Sequence, residues 1–385
     1  MKILHVCLAA FYIDNYSYQE NILPRMHKKM GHDVRILAST ETYINGKTLG
    51  YISASEYENE DSIRVKRIPY VSYLPLKIAK KLRIYSGVYE SLCEFKPDFI
   101  FLHDVQFLSI SQIVRYLKEN PNVRIVVDGH TDFINSARGV ISKYILHGII
   151  YKYCAKKILP FAKYFYGTLP ARVSFFKDFY KIPPEKVKFL PMGVDDDLAE
   201  KFNQQEKIIE QKHSLNINDD SFLIVTGGKI NTSKYQILTL MEAIRVLNNP
   251  RVKLLIFGSI EDSLKHRFNS LLSENIIYLG WATVEDAYKY FSMADLVVFP
   301  STHSVYWEQA AGLGKPLVVK HWEGITHVDL GGNVTFLHND TKEEMVQCLN
   351  NIILNPSQFE TMKNIAQEKG ITFFSYKSIA ARALH

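Results

Sequence analysis

Up to about residue 190, short β-branched runs alternate with longer stretches whose apolar residues recur at helical spacing, the pattern of a parallel sheet covered on both faces. The runs predict strands at Ile3–Cys7, Val34–Ala38, Ile63–Ile68, Phe99–Leu102, Val123–Val127, Tyr164–Tyr166 and Val187–Leu190. Helical spacing covers Tyr18–Met30 and Ile78–Leu92. In the second of these Ile78, Leu82, Tyr85, Tyr89 and Leu92 share a stripe, while Lys77, Lys80, Lys81 and Arg83 occupy the rest. The polar stretch from Asp196 to Asp220 lacks strand character and reads as a linker plus one helix. A second series then predicts strands at Phe222–Thr226, Lys253–Phe257, Ile276–Leu279, Leu296–Phe299, Leu317–Val319 and Val334–Leu337, with Gly370 as a stop before an amphipathic tail from Phe373 to His385. The fold class is α/β: two consecutive doubly wound domains, an arrangement that places ligands in a cleft.

The length of 385 residues exceeds what one core usually holds, in keeping with two domains. A composition 47% apolar and 22% charged excludes a disordered or collagen-like chain. The net charge of +6 hides an asymmetry: residues 61–190 carry 22 basic and 10 acidic side chains, so the first half is basic and the remainder acidic. Cys7, Cys93, Cys154 and Cys348 form no CxxC pair, which fits a reducing compartment and argues against a structural zinc site. MKILHVCLAAFYID lacks a small-residue cleavage site after its apolar run, so no secretory signal is expected. No apolar stretch approaches the ~20 residues a spanning helix requires.

Two clusters carry candidate chemistry. Between Ser221 and Tyr235 a strand meets a glycine turn, with Lys229 at the strand's end and Lys234 at the start of the next helix. Gly227 and Gly228 would let the backbone approach a ligand, Thr232 or Ser233 would cap the helix, and the two ammonium groups would converge on a diphosphate. The Walker spacing is absent, and a solvated turn with surface lysines fits these residues equally well. Between Asp295 and Val319 a strand leads through Ser301–Ser304 into a short helix. Thr302, His303 and Ser304 would stand at its N-terminus, where free N–H groups favour an anion, and Glu308, one turn past Ser304, would accept a ribose's hydroxyls. The alternative is a buried helix whose Glu308 pairs with a lysine and whose Ala310, Ala311 and Gly312 permit close packing.

The strings FLPMGVD, GGKINTSK, LGWATVEDAYKYFSMADLVVFPS and EQAAGLGKPLVV, in this order, resemble the second domain of the family-4 (group 1) retaining glycosyltransferases of the GT-B superfamily. The closing FFSYKSIAARAL resembles that family's terminal helix. The likeness covers residues 185–385 well and the first domain more loosely. It implies GT-B architecture, two Rossmann-like domains facing a central cleft: 1–192 on the acceptor side, 193–365 binding the nucleotide sugar, and 366–385 a helix crossing back to the first. The activity implied is that of a hexosyltransferase moving a sugar from a nucleotide diphosphate sugar to a hydroxyl of a glycan or polyprenol-linked acceptor with retention, most commonly in bacterial surface polysaccharide synthesis. Lys229 falls at the family's diphosphate-binding arginine and Lys234 at its lysine; Lys in place of Arg loses the bidentate fork. The family helix usually bears two glutamates. The first has no counterpart at Ser301–Ser304, and the second falls on Gln309 with Glu308 beside it. Glu308 is the preferred ribose ligand and Gln309 the alternative, with His303 and Ser304 replacing the missing glutamate.

In the first domain His103-Asp104 and the run Asp128 to Asp132 follow strand ends, where an α/β sheet places functional side chains. The second resembles the family's strand-then-histidine motif, which implies His130 beside the transferred sugar; a helix-capping turn is the ordinary alternative. Where the family has a Gly-Gly loop this chain has the aromatic, amide-rich Ala9 to Glu20, so Tyr18 and Gln19, with His103 and Asp104, are expected at the sugar or acceptor. Asp195–Asp197 contains a nominal DxD but reads as a polar hinge. With lysines and a helix dipole supplying positive charge, neither a metal nor a cofactor is expected. No nucleic-acid module is recognised. The basic, aromatic segments 77–92 and 143–163 are candidates for an anionic membrane surface, or equally for core helices with solvated lysines, which places the protein in the cytoplasm or at the inner face of the membrane. Base, sugar, acceptor, linkage and oligomeric state are not legible. Two other readings stay open, a sugar-nucleotide epimerase of the same architecture and a non-catalytic sugar-nucleotide-binding protein.

Overall fold

The computed structural model describes residues 1–44, 48–133, 136 and 139–385. The chain divides into two units, Met1–Pro191 with Ile379–His385, and Met192–Ser378.

The first unit contains β1 (Lys2–Cys7), β2 (Asp33–Ser39), β3 (Glu41–Ile44), β4 (Thr48–Tyr51), β5 (Ser55–Glu58), β6 (Arg64–Ile68), β7 (Phe99–His103), β8 (Arg124–Gly129), β9 (Ala162–Gly167) and β10 (Val187–Phe189). Eight of them form one sheet in the order β10-β9-β8-β7-β1-β2-β6-β5, parallel except where β5 runs against β6. Every residue of β7 is buried, as a strand covered on both faces must be. Because β1 lies between β7 and β2, the winding reverses there, and the ends of β1, β7 and β8 border the crevice of this sheet.

The helix expected over Ile78–Leu92 is instead two, Leu76–Leu82 and Val88–Phe95. Arg83 at φ 51° and Gly87 at φ 85° turn the chain between them. The turn lets Tyr85 leave the stripe and bury completely, its hydroxyl donating to the Leu8 carbonyl at 2.9 Å and its N–H to Ser109 Oγ at 2.7 Å. The hairpin β3–β4 and strand β5 had no sequence signal, since these short runs mix charged and apolar residues, and β4 and β5 lie largely exposed.

The second unit holds β11 (Phe222–Gly227), β12 (Val252–Phe257), β13 (Ile276–Tyr278), β14 (Leu296–Phe299), β15 (Leu317–Lys320) and β16 (Val334–Leu337), an all-parallel sheet ordered β13-β12-β11-β14-β15-β16. The stretch read as a linker with one helix forms two, Asp196–Phe202 and Gln205–Ser214. Gly370 does not stop a helix: it is helical itself, and a Cβ there would come 2.3 Å from the Ala311 carbonyl oxygen, so close packing requires it. The break falls at Ser375, in extended conformation, before the last helix, Tyr376–Ala383. Among the described residues no helix is long and apolar enough to cross a membrane.

Candidate functional site

In the second unit the winding reverses at β11, between β12 and β14, and the loops leaving β11 and β14 carry the candidate residues. At Gly227 a Cβ would meet the Phe257 ring at 2.5 Å, so packing already requires glycine, whereas Gly228 adopts φ +114° and supplies the turn. Neither Thr232 nor Ser233 caps the helix Gln236–Leu247, whose N-cap position is Tyr235 without a side-chain hydrogen bond; Asn231 instead caps the preceding 3-10 turn Thr232–Lys234, its Oδ1 accepting from Ser233 N–H at 3.2 Å and from its hydroxyl at 2.7 Å. Lys229 is exposed and Lys234 half-buried. Burial lowers the Lys234 pKa, and among the described residues no carboxylate pairs with it. A partly desolvated ammonium without a counter-ion is a receptor for an anion.

The loop after β14 is tied to this one, Ser301 Oγ donating to Gln236 Oε1 at 3.0 Å. Thr302, His303 and Ser304 are partly exposed and precede the helix Tyr306–Gly312. Glu308 is wholly buried. Its Oε1 lies 2.9 Å from Nε2 of His303 and 2.9 Å from Nε2 of His327, while Oε2 meets no partner. Burial alone would raise this carboxyl's pKa; the two histidines outweigh it and hold it at about 2. The lysine-paired alternative for Glu308 is therefore corrected: its partners are imidazoles. Its neighbour Gln309, 5% exposed, keeps Oε1 without a partner. His327, in the loop after β15, carries no motif and was missed by sequence reasoning. Asp195 caps the helix Asp196–Phe202, and the Asp196 carboxylate accepts from Ser375 and Lys377, so this acidic run is a cap and a tether.

In the first unit four of the expected residues converge on one that was not singled out. Asp128, wholly buried, lies 3.0 Å from His103 Nδ1, accepts from Gln19 Nε2 at 3.1 Å and from the Asp104 N–H at 3.1 Å, and stands 3.5 Å from His130 Nε2. Burial would raise its pKa, but His103 and His130 hold it far below the ordinary carboxylate range. Burial would lower His130; Asp128, with Glu20 at 4.0 Å, outweighs that and raises it. The His130 side chain keeps 26% of its surface, making it the accessible member of the group. Asp104, at φ 65°, spends its carboxylate on Val105 N–H and Gln106 Nε2, at 2.6 and 2.9 Å. Tyr18, 45% exposed, does not join the cluster.

Residues 221–355 match the family model described as glycosyl transferases group 1. An uncharacterized glycosyltransferase of Methanocaldococcus jannaschii is 23% identical over 317 residues, covering 77% of this chain and 74% of the relative. The alpha-galactosylglucosyldiacylglycerol synthase of Streptococcus pneumoniae is 24% identical over 201 residues, 49% of this chain and 52% of the synthase. Among solved structures, Anabaena HepE in complex with UDP superposes with a TM-score of 0.68 at 16% identity, covering 100% of this chain and 98% of that one.

Proposed function

From the premise that this chain is a group 1 glycosyltransferase of GT-B fold, we propose that it moves a sugar from a nucleotide diphosphate sugar to a hydroxyl of a glycan or lipid-linked acceptor, with retention of configuration. The observation that carries the proposal is Lys234, a half-buried ammonium that pairs with no carboxylate among the described residues, in the segment that matches the family. On this reading Lys234 and Lys229 neutralise the departing diphosphate, and the Thr302 and Ser304 turn meets its oxygens. Gln309, whose Oε1 awaits a donor, takes the ribose hydroxyls in place of Glu308. His130, oriented by Asp128, contacts the sugar. The bond from the anomeric carbon to the phosphate oxygen breaks as the acceptor oxygen bonds to the same face, and the acceptor's proton passes to the leaving phosphate. The lysines supply the positive charge, so the transfer itself needs neither metal nor cofactor.

UDP is the nucleotide in the HepE complex, and a glycosylated diacylglycerol is what the pneumococcal synthase is named for, so UDP-sugars and lipid-linked acceptors lead the screen. A lipid acceptor also suits the helical stretch Ile141–Ile158. There Ile141, Tyr144, Ile145, Ile149 and Tyr153 are exposed, while Cys154 and Ile158 are buried, with Lys143, Lys152, Lys156 and Lys157 among them. Such a face fits an anionic membrane on the cytoplasmic side, and co-sedimentation with anionic but not neutral vesicles tests it.

The decisive experiment incubates the purified protein with a nucleotide-sugar panel, with and without acceptors, and reads products by mass spectrometry. Glycosylated acceptor, lost in folded Lys234→Ala, supports transfer. A changed sugar nucleotide without any acceptor would instead favour an epimerase, and binding without either product a non-catalytic protein.

A further inference from the structure

Outside the diphosphate-binding lysines, one group of side chains in the second unit has a geometry that hydrogen bonding explains poorly. His303 comes from the turn after β14, Glu308 from the helix that follows, and His327 from the loop after β15. Their side chains keep 12%, 0% and 2% of their surface. Both imidazoles aim Nε2 at the same carboxylate oxygen, Oε1, at 2.9 Å each, while Oε2 of the same buried group meets nothing. Two neutral donors serving a carboxylate gain most by taking one oxygen each, because an unserved buried oxygen bears its full desolvation cost. Crowding on one oxygen is the geometry of three lone pairs converging on a point.

We propose that His303, Glu308 and His327 bind a divalent transition-metal ion, zinc by the chemistry of the donor set, as a clamp joining three segments of the second unit. Two imidazole nitrogens and one carboxylate are zinc ligands at about 2.0–2.2 Å, and around a tetrahedral ion such ligands stand about 3.3 Å apart. The three donor atoms already lie within 4.8 Å of one another, and the two nitrogen-to-oxygen distances need open only by a few tenths of an ångström. Oε2 can supply a fourth contact by bidentate binding. The absence of CxxC pairs, which argued against zinc, speaks only to thiolate sites. A metal here also withdraws His303 from the donor, leaving Thr302 and Ser304 of that turn to meet phosphate. The inference rests on three side chains and does not require that the chain transfer a sugar.

Cobalt(II) and zinc(II) are the probes. Full-length protein stripped with a chelator and titrated with Co²⁺ is expected to develop the visible ligand-field absorption of a low-coordinate nitrogen and oxygen site, saturating at one equivalent and bleached by Zn²⁺. Zn²⁺ should also raise the unfolding temperature, and chelator should lower it again. Glu308→Gln preserves side-chain shape and should weaken Co²⁺ binding more than about a hundredfold, since the loss of even outer-shell partners costs ten to a hundredfold. His327→Gln, checked independently for folding, should do the same. A wild-type titration without ligand-field bands at stoichiometric Co²⁺ overturns the proposal, and so do bands that persist unchanged in either folded variant.

Discussion

His103 and Asp128 stand 3.0 Å apart at the ends of adjacent strands, both without exposed surface, and their contact is the last link of a buried row. His103 Nε2 lies 3.0 Å from His5 Nδ1, His5 Nε2 3.0 Å from His27 Nδ1, and His27 Nε2 3.0 Å from the Ala380 carbonyl. The row ends on acceptors at both sides, so its four links need four protons, one more than three neutral imidazoles carry. Burial drives the pKa of His5 well down and that of His27 to about 4, so neither of these two rings favours the extra proton. Nitrogen-15 spectra at pH 7 should find one imidazolium among His5, His27 and His103; three neutral rings would refute the count. Asp128→Asn removes the buried carboxylate that ends the row and should cost about 3–5 kcal/mol in denaturant unfolding.

His130 makes a separate pH prediction. Burial opposes its charged form, yet Asp128 prevails and its pKa is raised. A raised histidine contributes stability that is complete below its unfolded value, about 6.5, and is lost as pH climbs through the folded value. Urea midpoints of the wild type and His130→Asn should therefore differ most on the acid side of neutrality and converge as pH rises. A gap that widens with alkalinity would show that the pairing with Asp128 does not govern His130.

Lys315 has the opposite sign. Burial, opposed by Asp295 and reinforced by Lys212 and Lys363, lowers its pKa to about 8, and Nζ donates to the Ser292 carbonyl at 2.7 Å. A lysine depressed in the folded state costs stability below that value, and the cost fades as pH rises from the folded to the unfolded pKa. The bond to Ser292 and partial exposure offset part of the cost. Lys315→Met should thus stabilise the protein by about 1 kcal/mol at pH 7 and by nothing near pH 10.5. Equal effects at both pH values would remove charge from the explanation.

Much of this architecture is legible in the sequence, for physical reasons that also mark where legibility stops. Strands such as Phe99–His103 are buried on both faces and therefore read as apolar runs. Ser55–Glu58 pairs at a sheet edge with its side chains largely in solvent, and nothing in its composition marks it. Lys229 and Lys234 flank a glycine turn within one short string, so local order reveals them. Asp128 draws its partners from positions 19, 103, 104 and 130, and the pairing of His5 with His103 spans 98 residues. His5 and His27 lie within runs that read as an ordinary core strand and helix. The inward turn of Glu308 follows from His327 arriving on another loop, a contact no local spacing encodes.

Lys234 offers the sharpest test of the donor site because its environment and its proposed ligand pull its pKa in opposite directions. Burial alone lowers the free ammonium's pKa, so a fraction of the protein loses this charge at alkaline pH. A bound diphosphate favours the charged form. Binding should therefore take up a proton as the pH rises toward the lowered pKa, and affinity should fall there. Calorimetry of UDP or a UDP-sugar in buffers of different ionisation enthalpy should detect that uptake in alkaline but not in mildly acidic buffer. Lys234→Ala should abolish the uptake and lower kcat/KM by at least about a hundredfold, the scale of one lost charge-stabilising contact. Lys229→Ala, removing an exposed ammonium, should cost about tenfold and leave the proton uptake intact. Uptake that survives in a folded Lys234→Ala protein would assign the diphosphate to another group.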